Sequence, residues 1–358
     1  SALEFTDSTN TEADAHNTIS IGICAADGTI HLAFDHHVST LHYRKSVPGV
    51  VTNPSAASWA AASFSAVSSQ LVANTSVAQL TYPKFISEPG GSKLLFDARL
   101  GNSSSGDEYL WEYDGTSHAW RQLGRYIYGT GDSINAYPHG VSYGRNSKRL
   151  YVSWCWRETP DAQTNHDLLF IYSDDDGRTW QNSAGTAVAT TGAKPVTKGT
   201  PGINVWPIEQ NRGLINSEHM AVDDAGRVHV LLSHLPDAEA DDANFDRSRT
   251  KSRYFHYLRD PGGVWTRHPL DQPALANFRG KLAITSTGNV YAILPDLRIA
   301  ASSPASNYAT WTLLTSDTGR FFSDPLIDTQ RLLLENELSV FYPHKSSPNI
   351  SVLDYSLQ

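Results

Sequence analysis

Apolar residues in this chain rarely recur at helical spacing. They come in short runs and strict alternations, bounded by Gly, Asp, Asn and Pro, which is the signature of strands joined by tight turns. The stretch "TISIGIC" at 18–24 alternates, turns at "AADG", and resumes as "TIHLAFDHH" at 29–37. The same pattern returns along the chain as a unit of four strands: a first strand, a D/G turn, a second apolar strand, a Tyr-rich third and a Trp-bearing fourth. The clearest copies run 81–123, 137–180 and 218–270, with weaker ones at 278–314 and 321–356 and an opening one from 14. Six such units predict an all-β fold, a β-propeller of four-stranded blades, as a single domain over 1–358. A pair of β-sandwiches is the alternative.

One segment fixes a turn in detail. "SDDDGRTW" at 173–180 fits the S-x-D-x-G-x-T-W Asp-box, expected between the third and fourth strands of a blade. Asp175 is placed to cap backbone N–H groups, Gly177 to take a positive φ and Trp180 to pack between sheets. The box names a fold and no reaction.

In a propeller the innermost strand of each blade lines a central channel, and its first residues reach one mouth. Those beginnings read "DAHNTIS", "LTYPKF", "NAYPHG", "NSEHMA", "NFRGKL" and "FFSDPL". They put His16 and Asn17, Tyr82, the trio Asn135, Tyr137 and His139, the pair Glu218 and His219, Asn277 and Arg279, and Asp324 before the apolar runs. Asp35, His36 and His37 close the neighbouring second strand. The expectation is convergence on one asymmetric funnel.

Composition narrows the partners. The 358 residues carry a formal net charge of −9, with 40% apolar and 18% charged residues. That argues against a nucleic-acid binder, which needs a basic stripe, and against an anionic membrane surface. No 18-residue apolar run exists to span a membrane. Cys24 and Cys155 sit inside strand patterns and read as buried free thiols, with pairing left open. Sequons at Asn74, Asn102 and Asn349 accord with a secreted, extracellular protein.

Taken together, "DAHNTISIG", "HLAFDHH", "LHYRKS", "TYPKF", "R-L-G", "NAYPHG", "WCWRET" and "NHDLLFIYSDDDGRTW" resemble the BNR-repeat polysaccharide lyases over residues 14–295. Those include ulvan lyases and L-rhamnose-α-1,4-D-glucuronate lyases. The resemblance implies seven blades, of which six are visible in the sequence. It implies β-elimination at a 4-linked uronate, with Tyr82 as catalytic tyrosine, His16 as general base or its partner, His36 as the second histidine and Arg99 as the neutraliser of the uronate carboxylate. Asn17, His37, Asn135, Tyr137, His139, Asn165, His166 and His219 are the substrate-binding candidates. A bound calcium ion is implied and no organic cofactor; Asp35, His36 and His37 are conceivable ligands for calcium or zinc. The expected partner is an acidic polysaccharide bound by a monomer, with the rhamnose-glucuronate linkage of arabinogalactan caps as first substrate and ulvan as the variant. A sialidase-type hydrolase and a non-catalytic sugar-binding propeller are the competing functions.

Overall fold

A computed structural model describes residues 3–8, 14, 16–53, 59–319, 323–344 and 349–357. Its described residues form six antiparallel units in chain order. The first comprises β1 (Ser20–Cys24), β2 (Thr29–Ala33) and β3 (Tyr43–Lys45). The second comprises β4 (Leu80–Ser87), β5 (Lys93–Asn102), β6 (Ser105–Asp114) and β7 (Ala119–Ile127). The third holds β8 (Asn135–Tyr143), β9 (Leu150–Arg157), β10 (Asn165–Ser173) and β11 (Thr179–Gln181), extended by β12 (Ala187–Thr190) and β13 (Asn204–Trp206). The fourth is β14 (His219–Val222), β15 (Val228–His234), β16 (Arg253–Arg259) and β17 (Trp265–Pro273). The fifth is β18 (Lys281–Ile284), β19 (Val290–Ile293), β20 (Arg298–Ser302) and β21 (Thr312–Ser316). The last is β22 (Leu326–Ile327), β23 (Glu337–Pro343) and β24 (Ile350–Ser356); Phe321 and Phe322, where its pattern begins, lie outside the described residues. Among the described residues two seven-residue α-helices, α1 (Phe245–Lys251) and α2 (Thr329–Glu335), lie in connections, and no helix is long and apolar enough to cross a membrane.

The burial pattern explains why these units stack. Every residue of β9 and of β15 is buried, so both faces of a middle strand are covered. Strand β24, the outermost of its unit, alternates between exposed and half-buried instead. Each gap between neighbouring units then holds its own apolar cluster. Tyr151 and Phe170 of the third unit meet Val230 and Phe255 of the fourth. Leu231 and Tyr254 of the fourth meet Leu282 and Val290 of the fifth. Burying such faces is the main stabilising contribution, about 1.5–3 kcal/mol for each large apolar side chain. A parallel pairing of Gly106 with Asn135 merges the second and third units into a ten-stranded sheet, and a parallel bridge of Ile127 with Val196 also links them.

The Asp-box behaves as read. The Asp175 carboxylate accepts from the Thr179 N–H at 2.8 Å, the Arg178 N–H at 3.1 Å and the Thr179 hydroxyl at 2.7 Å. Gly177 has φ +79°. Trp180 is fully buried and stacks on Tyr126 at 5.1 Å. Trp154 and Trp156 are core residues. Cys24 and Cys155 are both buried and free.

Candidate active site

The innermost strands β1, β4, β8, β14, β18 and β22 follow one another around a cavity of about 1160 Å³. Two of them begin with the same device. In β4, Thr81 pairs with Arg99 and the next pair is Lys84 with Asp97, so Tyr82 and Pro83 bulge out together. In β8 the register slips between Pro138 and Gly140, at His139. Proline cannot donate to the ladder and favours such a bulge. At Tyr82 the bulge puts φ at +57°, unusual for a bulky side chain and typical of strained functional positions. It turns the Tyr82 ring into the cavity, half-buried, edge-on to Tyr137 at 6.2 Å and 5.6 Å from the ring of His16.

His16 belongs to a three-residue cluster. Asp14 Oδ1 lies 2.5 Å from His16 Nδ1, and Asp14 Oδ2 lies 2.5 Å from His37 Nδ1. The two imidazoles stack at 3.9 Å. A carboxylate only accepts, so both Nδ1 atoms carry hydrogen, and a ring in its neutral form keeps its lone pair on Nε2. Burial, opposed by the Asp14 hydrogen bond, holds His16 below the usual imidazole range. Burial works against Asp14 ionising, but the hydrogen bonds from His16 and His37 bring it down to about 2. The result is a neutral, oriented base beside Tyr82.

Cations surround the tyrosines. The Arg99 guanidinium sits 5.1 Å from the Tyr82 ring and 5.4 Å from that of Tyr137. It is 3% exposed, its Nε is buried without a partner, and no carboxylate among the described residues pairs with it. Gly106 makes room for it: a Cβ there would lie 3.1 Å from Arg99 Cγ and Cδ. Arg157 lies over Tyr137 at 4.3 Å and donates to Asn165 Oδ1 at 2.8 Å and Asn216 Oδ1 at 2.7 Å. Arg279 donates to the Asn216 carbonyl at 2.7 Å. Three guanidinium groups therefore favour the ionised form of Tyr82, yet burial outweighs them and its hydroxyl stays above the ordinary phenol range. Tyr82 is therefore a phenol at neutral pH.

Of the residues singled out from sequence, His16, Tyr82, His139, Glu218, His219, Arg279 and Asp324 line the cavity, and Arg99, Tyr137 and His37 pack against them. His36 does not join. The backbone leaves strand geometry at Asp35 (φ +60°) and Val38 (φ +53°), which turns His37 outward and His36 inward. His36 is fully buried and its Nε2 accepts the His42 N–H at 2.9 Å. Burial lowers its pKa to about 4. Asn135 donates to the Asn102 carbonyl, and Asn165 bridges Arg157 to the Leu214 carbonyl, so both brace the site from behind. His166 is held between Asp167 and Glu158, away from the cavity. Asn17 is half-buried and its N–H closes the turn onto the Asp14 carbonyl. Asp14, Arg157 and Asn216 were not anticipated. Asp14 could have been: an Asp two residues before a candidate base is an orienting-group signal.

Calcium seeks ~6–8 oxygen ligands. Asp14, His16 and His37, the one three-residue metal-capable grouping among the described residues, offer two nitrogens and a carboxylate and do not fit it. Asp35, His36 and His37 point to different partners.

Sequence and fold are similar to those of known proteins. An ulvan lyase, long isoform, from Alteromonas sp is 26% identical over 250 residues, 60% of this chain and 22% of that protein. One from Pseudoalteromonas sp. is 23% identical over 249 residues, again 60% and 22%. The chain thus spans about a fifth of the length of these curated relatives. The crystal structure of the polysaccharide lyase Uly1 superimposes with a TM-score of 0.66 at 17% identity, covering 95% of this chain and 77% of that one. An ulvan lyase representing a new polysaccharide lyase family gives 0.63 at 14%, covering 96% and 79%. These likenesses establish the β-propeller fold. The family model described as BNR repeat-containing family member matches residues 1–273. That span takes in the Asp-box, both bulged innermost strands and every residue of the His16–Tyr82–Arg99 cluster, and the chain belongs to the BNR repeat-containing family.

Proposed function

We propose that the protein is a polysaccharide lyase that cleaves beside a 4-linked uronate by β-elimination. The observation that carries this is the meeting of a neutral, Asp-oriented imidazole, a protonated tyrosine and an ion-pair-free buried guanidinium at one cavity mouth. Arg99 takes the uronate carboxylate in a bidentate contact and makes the C5 proton acidic. His16 Nε2 removes that proton. The electron pair forms the C4–C5 double bond, the C4–O4 bond breaks, and the departing oxygen takes the Tyr82 hydroxyl proton. In glucuronate H5 and O4 share a face, and His16 and Tyr82 lie side by side, as a syn elimination requires.

For the substrate we infer the rhamnose-α-1,4-glucuronate linkage of arabinogalactan side chains, released outside the cell. Ulvan is supported equally by the names of the relatives. A sialidase-type hydrolase draws on a different observation, the grouping of Arg99, Arg157 and Arg279 around the tyrosines. However, Arg157 and Arg279 are committed to Asn165, Asn216 and Asp324, which leaves one guanidinium for a substrate carboxylate.

The test is ultraviolet absorbance of the 4,5-unsaturated uronate with gum arabic and with ulvan. Wild type should produce it with at least one, and Tyr82→Phe should lower kcat ~10²–10⁴-fold, the worth of a general acid. Sugar release without new absorbance would eliminate the lyase reading in favour of hydrolysis.

A further inference from the structure

Below the Tyr82 level, four successive innermost strands present a residue at corresponding positions. After Tyr82–Pro83 comes Lys84, after Tyr137–Pro138 comes His139, after Ser217–Glu218 comes His219, and after Arg279–Gly280 comes Lys281. All four line the cavity.

The two histidines are locked as donors. His139 Nδ1 accepts the Glu218 N–H at 3.2 Å, and His219 Nδ1 accepts the Leu282 N–H at 3.0 Å, each reaching to the next strand around the channel. A nitrogen accepting from an amide holds no proton, so the hydrogen of each neutral ring is on Nε2. Neither Nε2 can therefore serve as a metal ligand or a base in that state. His139 is 3% exposed and its Nε2 is buried with no partner. Lys84 and Lys281 have no ion-pair partner among the described residues.

The acids nearby are occupied or neutralised. Glu218 accepts the Ser233 N–H and hydroxyl, Asp324 accepts the Arg279 N–H, and Asp97 accepts the Tyr126 hydroxyl at 2.9 Å. Burial raises the pKa of Glu108, which faces Asp97, well above the ordinary carboxylate range. What these four residues offer inward is thus two imidazole N–H donors and two ammonium groups, in a cavity that Asp97, Glu108, Glu218 and Asp324 also line. An unsatisfied buried N–H costs ~1–3 kcal/mol, which an accepting ligand would recover.

We propose that Lys84, His139, His219 and Lys281 bind a tetrahedral oxyanion of the sulfate class in the channel beneath Tyr82. Donors arriving from four strands match four oxygens better than the two of a planar carboxylate. The oxyanion has two possible sources: a free inorganic ion resident in the channel, or a sulfate ester on a sugar next to the cleaved uronate.

The experiment is an anomalous-difference map from crystals of the full chain soaked in sodium selenate, with sulfate titration followed by thermal shift at fixed ionic strength. A selenium peak within hydrogen-bond distance of His139 Nε2 and the two amines is expected. Sulfate should stabilise wild type, with an affinity about tenfold weaker in Lys84→Met and in Lys281→Met, and restored in Lys84→Arg, since a charge-assisted hydrogen bond contributes about that much. No channel peak at saturating selenate, or equal shifts in wild type and both Met variants, overturns the proposal. Sulfate that raises KM assigns the site to a substrate ester; sulfate that binds without changing KM assigns it to a resident ion. Selenate binding requires no turnover, so the site stands or falls separately from the lyase reading.

Discussion

An imidazole acts as a base only while one nitrogen keeps its lone pair, and Asp14 decides which nitrogen that is. An Asn at this position has one acceptor and one donor. It would hold one ring as Asp14 does and force the other to accept on Nδ1, losing that ring's Nε2 lone pair. Asp14→Asn should therefore lower kcat by a large part of the ~10²–10⁴ that a general base is worth. Burial already depresses the His16 pKa and Asp14 opposes it, so removing the carboxylate should also move the acid limb of kcat/KM to lower pH. A purely structural role would lower stability and leave the limb in place. Arg99 is tested through its neighbour. Gly106→Ala would put a Cβ 3.1 Å from Arg99 Cγ and Cδ and 3.2 Å from Asn135 Nδ2, so both must shift by a few tenths of an ångström. KM for a uronate polymer should rise about tenfold, one charge-assisted hydrogen bond's worth, with a smaller change in kcat. An unchanged KM would remove Arg99 from carboxylate binding.

The bulge and the turn are where sequence reading succeeded and failed at the level of elements. "TYP" and "AYP" at the start of alternating runs, and the Asp-box, placed β4, β8 and the β10–β11 turn, because proline and Asp-box residues act through local chemistry. The partition of His36 and His37 was not legible. A period-two reading assigns faces only while the strand continues, and the left-handed Asp35 and Val38 end that period just where the assignment mattered. Likewise Arg157 reads as the end of "WCWR", and only the pairing of β8 with β9 brings it under Tyr137. The Asp-box gives a prediction free of catalysis. Asp175→Ala removes the acceptor of the Arg178 and Thr179 N–H groups and of the Thr179 and Ser173 hydroxyls. Urea unfolding should show a loss of about 1.5–3 kcal/mol, the range for bonds to a charged group. Kinetic constants of the folded enzyme should stay as in wild type, since the box lies between β10 and β11 rather than at the innermost strands.

At the scale of the whole molecule, the propeller's stacked units bury titratable groups of both kinds, and these pull stability in opposite directions as pH changes. Burial holds His31 and His139 down to about 3 and His36 and His234 to about 4, with His219 and His256 also well below the ordinary value. In the unfolded chain each titrates near 6.5. Below that pH the unfolded state takes up protons that the folded state refuses, so each histidine destabilises the fold by up to about 1.4 kcal/mol per pH unit as pH falls. The buried acids act the other way. Burial raises Asp97 to about 6 and Glu218 to about 7, and Glu108 is raised as well. Their contribution is present below their unfolded values and is lost as pH rises through the folded ones. The two sets overlap between pH 4 and 6.5, and the six histidines outnumber the three acids. Against burial, hydrogen bonds hold Asp27 and Asp223 to about 2, so their contribution persists until pH falls below the ordinary aspartate value. The melting temperature should therefore fall as pH drops from 7 to 5, before the surface carboxylates titrate. His234→Gln should flatten that slope, because a glutamine in place of His234 takes up no proton in either state. A melting temperature that holds or rises on acidification to pH 5 would mean that the acids, and not the histidines, dominate the buried charge balance of this propeller.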